Sequence, residues 1–457
     1  MIEKFFRLRE RGSTVRLEIL GGTTTFITMA YIIVVNPAIL GFAGIPTGPG
    51  TVATILTSVF GCLLMGLWAN RPIAVAPYMG ENAFIAFGLA AMGIGWQQRL
   101  GAVFLSGLAF LLLTAIGVRS WLAKSVSPSM KHSFAAGIGL FLAFIGLYET
   151  GIVTSFVAGL PAPALTIAGT GLLRTPDVPV KIGNFRDPQV LLAIAGSLLM
   201  AVLLARRIRG AILLGIVGTA ALGFLAGHGR APKGWLAMPF TGDYTLGPVA
   251  LKLDVAGVLQ PAFLPVLLTL FLMSFLDTLG TLMGVGAAGQ MLDERGDFPE
   301  LEKPMLVDAA TCMFGGLIGT STSGAYIESA TGIREGARTG LAAVTTAGLF
   351  ALSLFFLPLL EPLQHLRYAY GPALIMVGAM MIGSVRNIDF TDLTEAVPAF
   401  LTITMMLFTY NIANGLTAGL VAYPLLKLAT GRAKELNSGS VALGLACLLY
   451  FVFGLPH

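Results

Sequence analysis

Two carboxylic acids lie where an apolar chain has little use for charge. Asp277 sits inside Thr269–Met283, a run otherwise built from Leu, Phe, Met, Ser, Thr and Gly. Glu328 follows Gly319-Thr320-Ser321-Thr322-Ser323-Gly324-Ala325-Tyr326-Ile327, which is too rich in Ser, Thr and Gly for an ordinary membrane span. Ionisable groups at such depth are costly and usually mark a substrate or proton path. Low dielectric favours the neutral acid, whereas helix N-termini and N–H donors favour the carboxylate, so two acids beside one pocket can differ in protonation. A third acid, Glu81, lies in Met79-Gly80-Glu81-Asn82-Ala83 beside an amide that offers both donor and acceptor. Each residue has a plainer reading. Glu328 would cap its own helix, Asp277 would bond Thr278 or Thr281, and Asn82 would merely start a helix. Glu81 would face the pocket or cap the helix. Phe84, Phe26, Phe275 and Tyr31 would stack on a flat ring or simply pack.

The elements that must hold these groups are membrane helices. The chain is 56% hydrophobic and 11% charged, against about 25% charged residues in soluble domains, and its mean hydropathy is +0.83. Fourteen or fifteen apolar segments run from near 22–40 to near 441–456, many of them approaching the ~20 residues that cross a hydrocarbon core. This predicts an all-α polytopic membrane protein with no separate soluble domain and no signal peptide. Its net charge of +5 resides in short loops and does not imply nucleic acid. Bases near the N-terminus, at Arg206, Arg207 and Arg209, and at Lys427, Arg432 and Lys434 would face the cytoplasm in a fourteen-span arrangement, as the positive-inside rule asks. The N-terminus is then cytoplasmic, and 150–188 and 228–259 lie outside. Cys62, Cys312 and Cys447 have no paired spacing, so neither a disulfide framework nor a metal site is expected. Asp293, Glu294, Asp297, Glu300 and Glu302 read as a solvated loop without metal.

The chain reads as two halves, 1–227 and 260–457, joined by 228–259. In each half a helix-poor stretch precedes an acid, and Arg-x-Gly opens the next span: Arg99-Leu100-Gly101 and Arg338-Thr339-Gly340. Seven spans per half would give the copies opposite orientations, and inverted repeats with broken helices meeting near the midplane mark transporters. With Asp308 and Arg334 both taken as cytoplasmic, the chain between them must go out and back across a ~30 Å core. Its 26 residues would reach only about 39 Å as helix. An extended Thr320–Ile327 raises the reach to about 55 Å; a re-entrant hairpin that never crosses is the alternative. Pro72 and Pro77 likewise resist continuous helix in the third segment. Extended backbone in lipid must be paired or buried in protein, so the stretches 74–79 and 321–326 are expected to pair with each other. Helices would then start near Gly80 and Ile327.

Five motifs in order carry a family resemblance along nearly the whole chain: Phe26-Ile-Thr-Met-Ala-Tyr-Ile-Ile-Val-Val-Asn-Pro37, Met79-Gly-Glu-Asn-Ala83, Asp277-Thr-Leu-Gly-Thr281, Gly319-Thr-Ser-Thr-Ser323 with Tyr326-Ile-Glu-Ser329, and Val397-Pro-Ala-Phe-Leu-Thr402. With them the chain resembles the azaguanine-resistance type of purine permease within nucleobase–cation symporter family 2. The resemblance implies fourteen spans in a 7+7 inverted repeat, with a core of spans 1–4 and 8–11 and a gate of spans 5–7 and 12–14. It implies elevator-like transport across the inner (plasma) membrane, a purine nucleobase as partner, a proton as coupling ion, no cofactor, and often a homodimer. By motif it gives Asp277, Glu328, Gly80 and Asn82 substrate contacts, with backbone bonds from Ala83 and Ile327. Glu81, Thr281 and Ser329 fall beside them as supporting or proton-coupling groups. Glu81 stands where the family usually has an apolar residue, and Ser274 where an acid often lies three residues before Asp277.

Other functions fit less well. A transporter of the same architecture for xanthine, urate, a pyrimidine base or an anion is the alternative, although two pocket carboxylates would repel an anion. An intramembrane aspartyl protease would need Gly-x-Gly-Asp, and Asp277 follows Ser274-Phe275-Leu276 instead. No Gly-x₄-Gly-Lys-Ser/Thr run offers an ATP site. An enzyme is not expected.

Overall fold

The computed structural model describes residues 2–116, 121, 125–159, 179–229, 231–232, 234–289, 291, 298 and 300–453. Asp293, Glu294 and Asp297 of the acidic loop and much of the 150–188 loop lie outside them. Among the described residues nine helices are long and apolar enough to cross a bilayer, and three apolar helices are shorter.

The first half begins with α1 (Val15–Met29) and α2 (Ile32–Phe42), one span interrupted at Ala30 and Tyr31, followed by α3 (Thr47–Leu67). The chain then extends as β1 (Val75–Pro77) and returns to helix as α4 (Met79–Ala83), which runs into a π-helical turn at Phe84–Gly88. It continues with α5 (Trp96–Ala115), α6 (Pro128–Glu149), a small hairpin of β2 (Val153–Ser155) and β3 (Val180–Ile182), α7 (Pro188–Ala205) and α8 (Ala211–Leu225). The second half repeats this order with α9 (Leu264–Ala288), α10 (Glu302–Ile318), β4 (Ser323–Ala325), α11 (Ser329–Arg334), α12 (Gly340–Ser353) and α13 (Leu357–Gln364). It closes with α14 (Arg367–Met381), α15 (Leu393–Phe408), α16 (Ile412–Ala429) and α17 (Ser438–Phe453), the last lying against α16.

The two extended stretches do pair. β1 runs antiparallel to β4 with Val75 opposite Ala325, Ala76 opposite Gly324 and Pro77 opposite Ser323. Tyr78 N–H donates to Thr322 O at 3.0 Å and Tyr326 N–H to Ala74 O at 2.9 Å, so the pairing closes symmetrically at both ends. All six strand residues are buried, which is how backbone without helix survives at membrane depth. Gly324 is required by space, because a Cβ there would meet the Tyr78 hydroxyl at 2.1 Å.

The inverted repeat is visible in matched bonds. Val75 N–H donates to Cys62 Sγ at 3.2 Å, and the thiol donates to Val75 O at 3.3 Å. In the other half Ser323 N–H donates to Cys312 Sγ at 3.2 Å, and that thiol donates to Ser323 O at 2.9 Å. Each cysteine therefore satisfies the edge of a strand that its partner strand leaves open. The Arg-x-Gly echo has the same basis: Arg99 donates to Ile94 O at 2.7 Å and Arg338 to Ile333 O at 2.6 Å, each five residues back.

The helices sort into two packing groups. The first holds α1–α5 with α9–α12, threaded so that α5 lies on α10 and α3 on α12. The second holds α6–α8 with α14–α16, in which α6 lies along α14.

One expectation is corrected. Asp308 does not mark the cytoplasmic start of its span. The helix begins at Glu302, and Asp308 lies on its second turn, fully buried and bonded to β4. The extended crossing nevertheless exists, because the hydroxyl- and glycine-rich sequence favours it independently of that anchor.

Candidate functional site

The strand crossing gathers the acids. α9 passes it with Asp277, Gly280 and Gly284 on one face, as spacings of three and four residues require. Asp277 is partly accessible and makes no hydrogen bond among the described residues. Thr278, its expected partner in the plainer reading, instead donates to Asp308 Oδ2 at 2.9 Å. Ile327 lies over the same face of α9: its Cδ1 stands 3.2 Å from where a Gly284 Cβ would be, and the residue is 53% exposed. Its N–H takes part in no bond among the described residues.

Glu328 follows, partly accessible, with no side-chain cap on its own helix. Tyr31, at the break between α1 and α2, donates to its Oε1 at 2.8 Å. Asp277 stands close enough to Glu328 to feel its charge. The accessible side of the crossing thus presents two carboxyl groups and one backbone N–H.

Behind them the site is sealed. Glu81 and Asn82 diverge as neighbours on a helix must. Glu81 reaches α9, where Ser274 Oγ donates to its Oε2 at 2.8 Å. Asn82 reaches α2, donating from Nδ2 to Asn36 Oδ1 at 2.8 Å. Asn36 in turn donates to Thr54 at 2.8 Å and Thr320 at 2.9 Å, tying α2, α3 and the β4 approach together. Gly80 lets α4 approach α6, since a Cβ there would meet Ile138 Cγ2 at 2.4 Å. Ala83 and Phe84 are fully buried.

The other residues singled out by the sequence occupy varied places. Ser329 Oγ accepts the Ala74 N–H at 3.0 Å, closing the strand crossing. Thr281 is partly exposed on α9, one turn beyond Asp277. Phe26 packs edge-on against Phe350 at 5.1 Å; Phe275 packs edge-on against Phe110 at 6.0 Å and stacks on Phe271 at 5.9 Å. Of the four candidate stacking aromatics, Tyr31 alone touches an acid of the site.

Asp308 is the residue that sequence reasoning missed. Its Oδ2 accepts from Ala325 N–H at 2.8 Å, Thr278 Oγ1 at 2.9 Å and Tyr78 Oη at 3.5 Å, so one oxygen joins β4, α9 and the end of β1. An acid with apolar residues on both sides, in Met305-Leu306-Val307-Asp308-Ala309, was the available signal. Tyr78 and Tyr326 were also missed; their rings lie nearly parallel across the crossing, and Tyr326 donates to Pro77 O. Among the described residues no group of His, Cys, Asp and Glu is arranged to hold a metal.

Carboxyl oxygens beside a free N–H suit a flat ligand that carries both N–H donors and ring-nitrogen acceptors. A model of the Permease family matches residues 16–418. The chain is 38% identical to the adenine permease AdeP of Escherichia coli over 99% of its length and 96% of that protein. It is 37% identical to the guanine/hypoxanthine permease PbuG of Bacillus subtilis over 99% of its length and all of that protein. In structure it is similar to the transmembrane domain of a cyanobacterial bicarbonate transporter, BicA, with a TM-score of 0.60 at 15% identity, covering 88% of this chain and 97% of that one. It is also similar to the murine anion transporter Slc26a9, with a TM-score of 0.59 at 12% identity, covering 91% of this chain and 68% of that one. At such identities the likeness is one of fold.

Proposed function

We propose, for a chain that belongs to the Permease family and is a nucleobase permease by that membership, that it imports purine bases of the adenine, guanine and hypoxanthine class together with a proton. The observation that carries this is the pair of accessible carboxyls, Asp277 and Glu328, beside the free Ile327 N–H at the strand crossing. The acids accept purine N–H groups, and Ile327 donates to a ring nitrogen or carbonyl. Asn82, Gly80 and Ala83 shape the opposite wall. A hydrogen bond to a charged group contributes about 1.5–3 kcal/mol, so two such contacts can select a purine edge.

A neutral base gains nothing from the membrane potential, whereas a co-transported proton gains about 2.3 kcal/mol per 100 mV. The repeats are 1–227 and 260–457. The group α1–α5 with α9–α12 is the moving core, and the group α6–α8 with α14–α16 is the gate against which it slides, in an elevator-like cycle. The protein works in the inner membrane with its N-terminus cytoplasmic, as a homodimer.

Uptake of radiolabelled adenine, guanine and hypoxanthine by a transport-deficient host, with unlabelled competitors, tests the substrate class. Xanthine, urate, uracil or bicarbonate outcompeting all three purines overturns it. In proteoliposomes accumulation should collapse with a protonophore; accumulation that follows a sodium gradient at constant pH rules the proton out.

A further inference from the structure

Glu81 has no place in the purine contacts just proposed, yet of the two fully buried acids at the crossing, Glu81 and Asp308, it is the less compensated. Its side chain is buried, 1% exposed, and one hydroxyl, that of Ser274, donates to Oε2. Its other oxygen, Oε1, has no donor in hydrogen-bonding geometry among the described residues, the Thr322 hydroxyl being the nearby group that could turn to it. The groups facing it are Asp277 and Ser274 on α9, Asp308 and Cys312 on α10, Thr322 ahead of β4, and Tyr78 and Tyr326 at the strand ends. From α6 the apolar Ile138 packs against neighbouring Gly80. None of these groups is basic. Among the described residues Asn82 Oδ1 and Asp308 Oδ1 are also buried without a hydrogen-bond partner.

Asp308 sets the contrast. It too is fully buried, but the Ala325 N–H and the Thr278 hydroxyl both donate to its Oδ2, with the Tyr78 hydroxyl beside them at 3.5 Å. A carboxylate can persist where donors converge on it, whereas a buried acid without them neutralises. Two uncompensated charges side by side, on Glu81 and Asp277, repel each other. Asp277 can therefore present an ionised carboxylate to a purine N–H only while Glu81 is neutral.

We propose that Glu81 carries the coupled proton, loading it from outside and releasing it inside. This rests on the reading of the protein as a proton-coupled purine importer. Loading forms an O–H bond on Glu81 and breaks one in a hydronium ion of the outer solution; release returns the proton to water on the cytoplasmic side. The proton and the purine are linked through Asp277, which binds the base as an anion only when Glu81 is protonated.

The test compares wild type with Glu81→Gln and Glu81→Asp in proteoliposomes holding a pH dye, using adenine and hypoxanthine. Glutamine imitates the protonated acid but cannot release a proton. E81Q should bind purine and exchange labelled for unlabelled purine. Purine-evoked acidification should vanish. Accumulation should fall to equilibration, where one proton at 100 mV supports roughly 50-fold. E81D, which keeps a titratable group, should restore part of the acidification. Wild-type acidification in E81Q overturns the assignment, as does loss of purine binding by folded, monodisperse E81Q, because Glu81 would then be a purine ligand. A wild type that binds purine without acidification removes the proton and this assignment together. A wild type that binds no purine removes the functional reading itself.

Discussion

Acids cluster at two places in this molecule, and they keep different company. At the strand crossing Glu81, Asp277, Asp308 and Glu328 gather with no lysine or arginine bonded to any of them among the described residues. At one end of the second helix group Asp392, Glu395 and Glu435 surround two bases. Lys427 Nζ lies 2.8 Å from Glu435, 3.1 Å from Glu395 and 3.6 Å from Asp392. Arg432 lies 2.6 Å from Glu435 and 2.7 Å from Asp392. Ser127, the cap of α6, donates to Glu395 at 2.7 Å, so the cluster ties α6, α15 and α16 together. Acids that have their own bases are occupied with holding helices. Acids without bases must take protons, backbone donors or a ligand. On the proposed function the accessible acids without bases serve the substrate and the acids with bases serve stability, and mutation can test that division.

The largest effect is expected at the accessible acids. Asp277→Ala and Glu328→Ala should each abolish purine binding while folded protein still reaches the membrane. Purified variants are to be compared with wild type by equilibrium binding of labelled adenine, guanine and hypoxanthine. Wild-type affinity in either variant would show that acids without bases can be idle, and the comparison would fail.

Asp308→Ala should cost both stability and transport. It strands the Ala325 N–H and the Thr278 hydroxyl in a dry interior, at about 1–3 kcal/mol for each group left unpaired. The melting temperature in detergent should drop, and Asp308→Asn, which keeps an acceptor, should recover part of it. Equal melting of Asp308→Ala and wild type would mean that the strand does not lean on this carboxylate.

How far the sequence foretold this region depends on where each partner lies. The crossing strands were legible, since Pro77 and the Ser/Thr/Gly run Thr320–Gly324 oppose helix through local chemistry. So was the divergence of Glu81 and Asn82, which follows from helical geometry alone. Asp308 was not legible as a strand support, because its partner is a backbone N–H seventeen residues away. Cys62 and Cys312 lack the spacing of a pair, and spacing says nothing of their actual role, since each bonds a strand backbone rather than another thiol. The break at Ala30 and Tyr31 interrupts an apolar run with no Gly or Pro at the site; its consequence, Tyr31 turned onto Glu328, needs the fold to be seen.

Lys427→Met belongs to the other region and should act differently. Its side chain is 1% exposed, but its partners reach solvent, with 15–44% of their side chains exposed. Removing it leaves three acids close together with only Arg432 between them. The melting temperature should fall by several degrees, while purine affinity at permissive temperature stays that of wild type. A loss of affinity without a loss of stability would place this cluster in the transport cycle and blur the distinction.

The smallest effect is the pH dependence of that same cluster. Asp392 lies outside the membrane helices as the cap of α15. The Thr394 hydroxyl and N–H, then Arg432, hold its carboxyl below the usual carboxylate range. Arg432 and Lys427 do the same for Glu435. A folded-state pKa that is depressed adds stability above the unfolded value, about 3.9 for Asp and 4.3 for Glu. That stability is lost as pH falls through the folded value. Asp392→Asn should therefore melt slightly below wild type at pH 7, and the gap should close as the pH is taken below about 4. Both sites are near the surface, where ion pairs are screened, so added salt should narrow the gap at pH 7 as well. A gap that instead widened in acid would mean that Asp392 is held protonated, and that the bases beside it do not decide its charge.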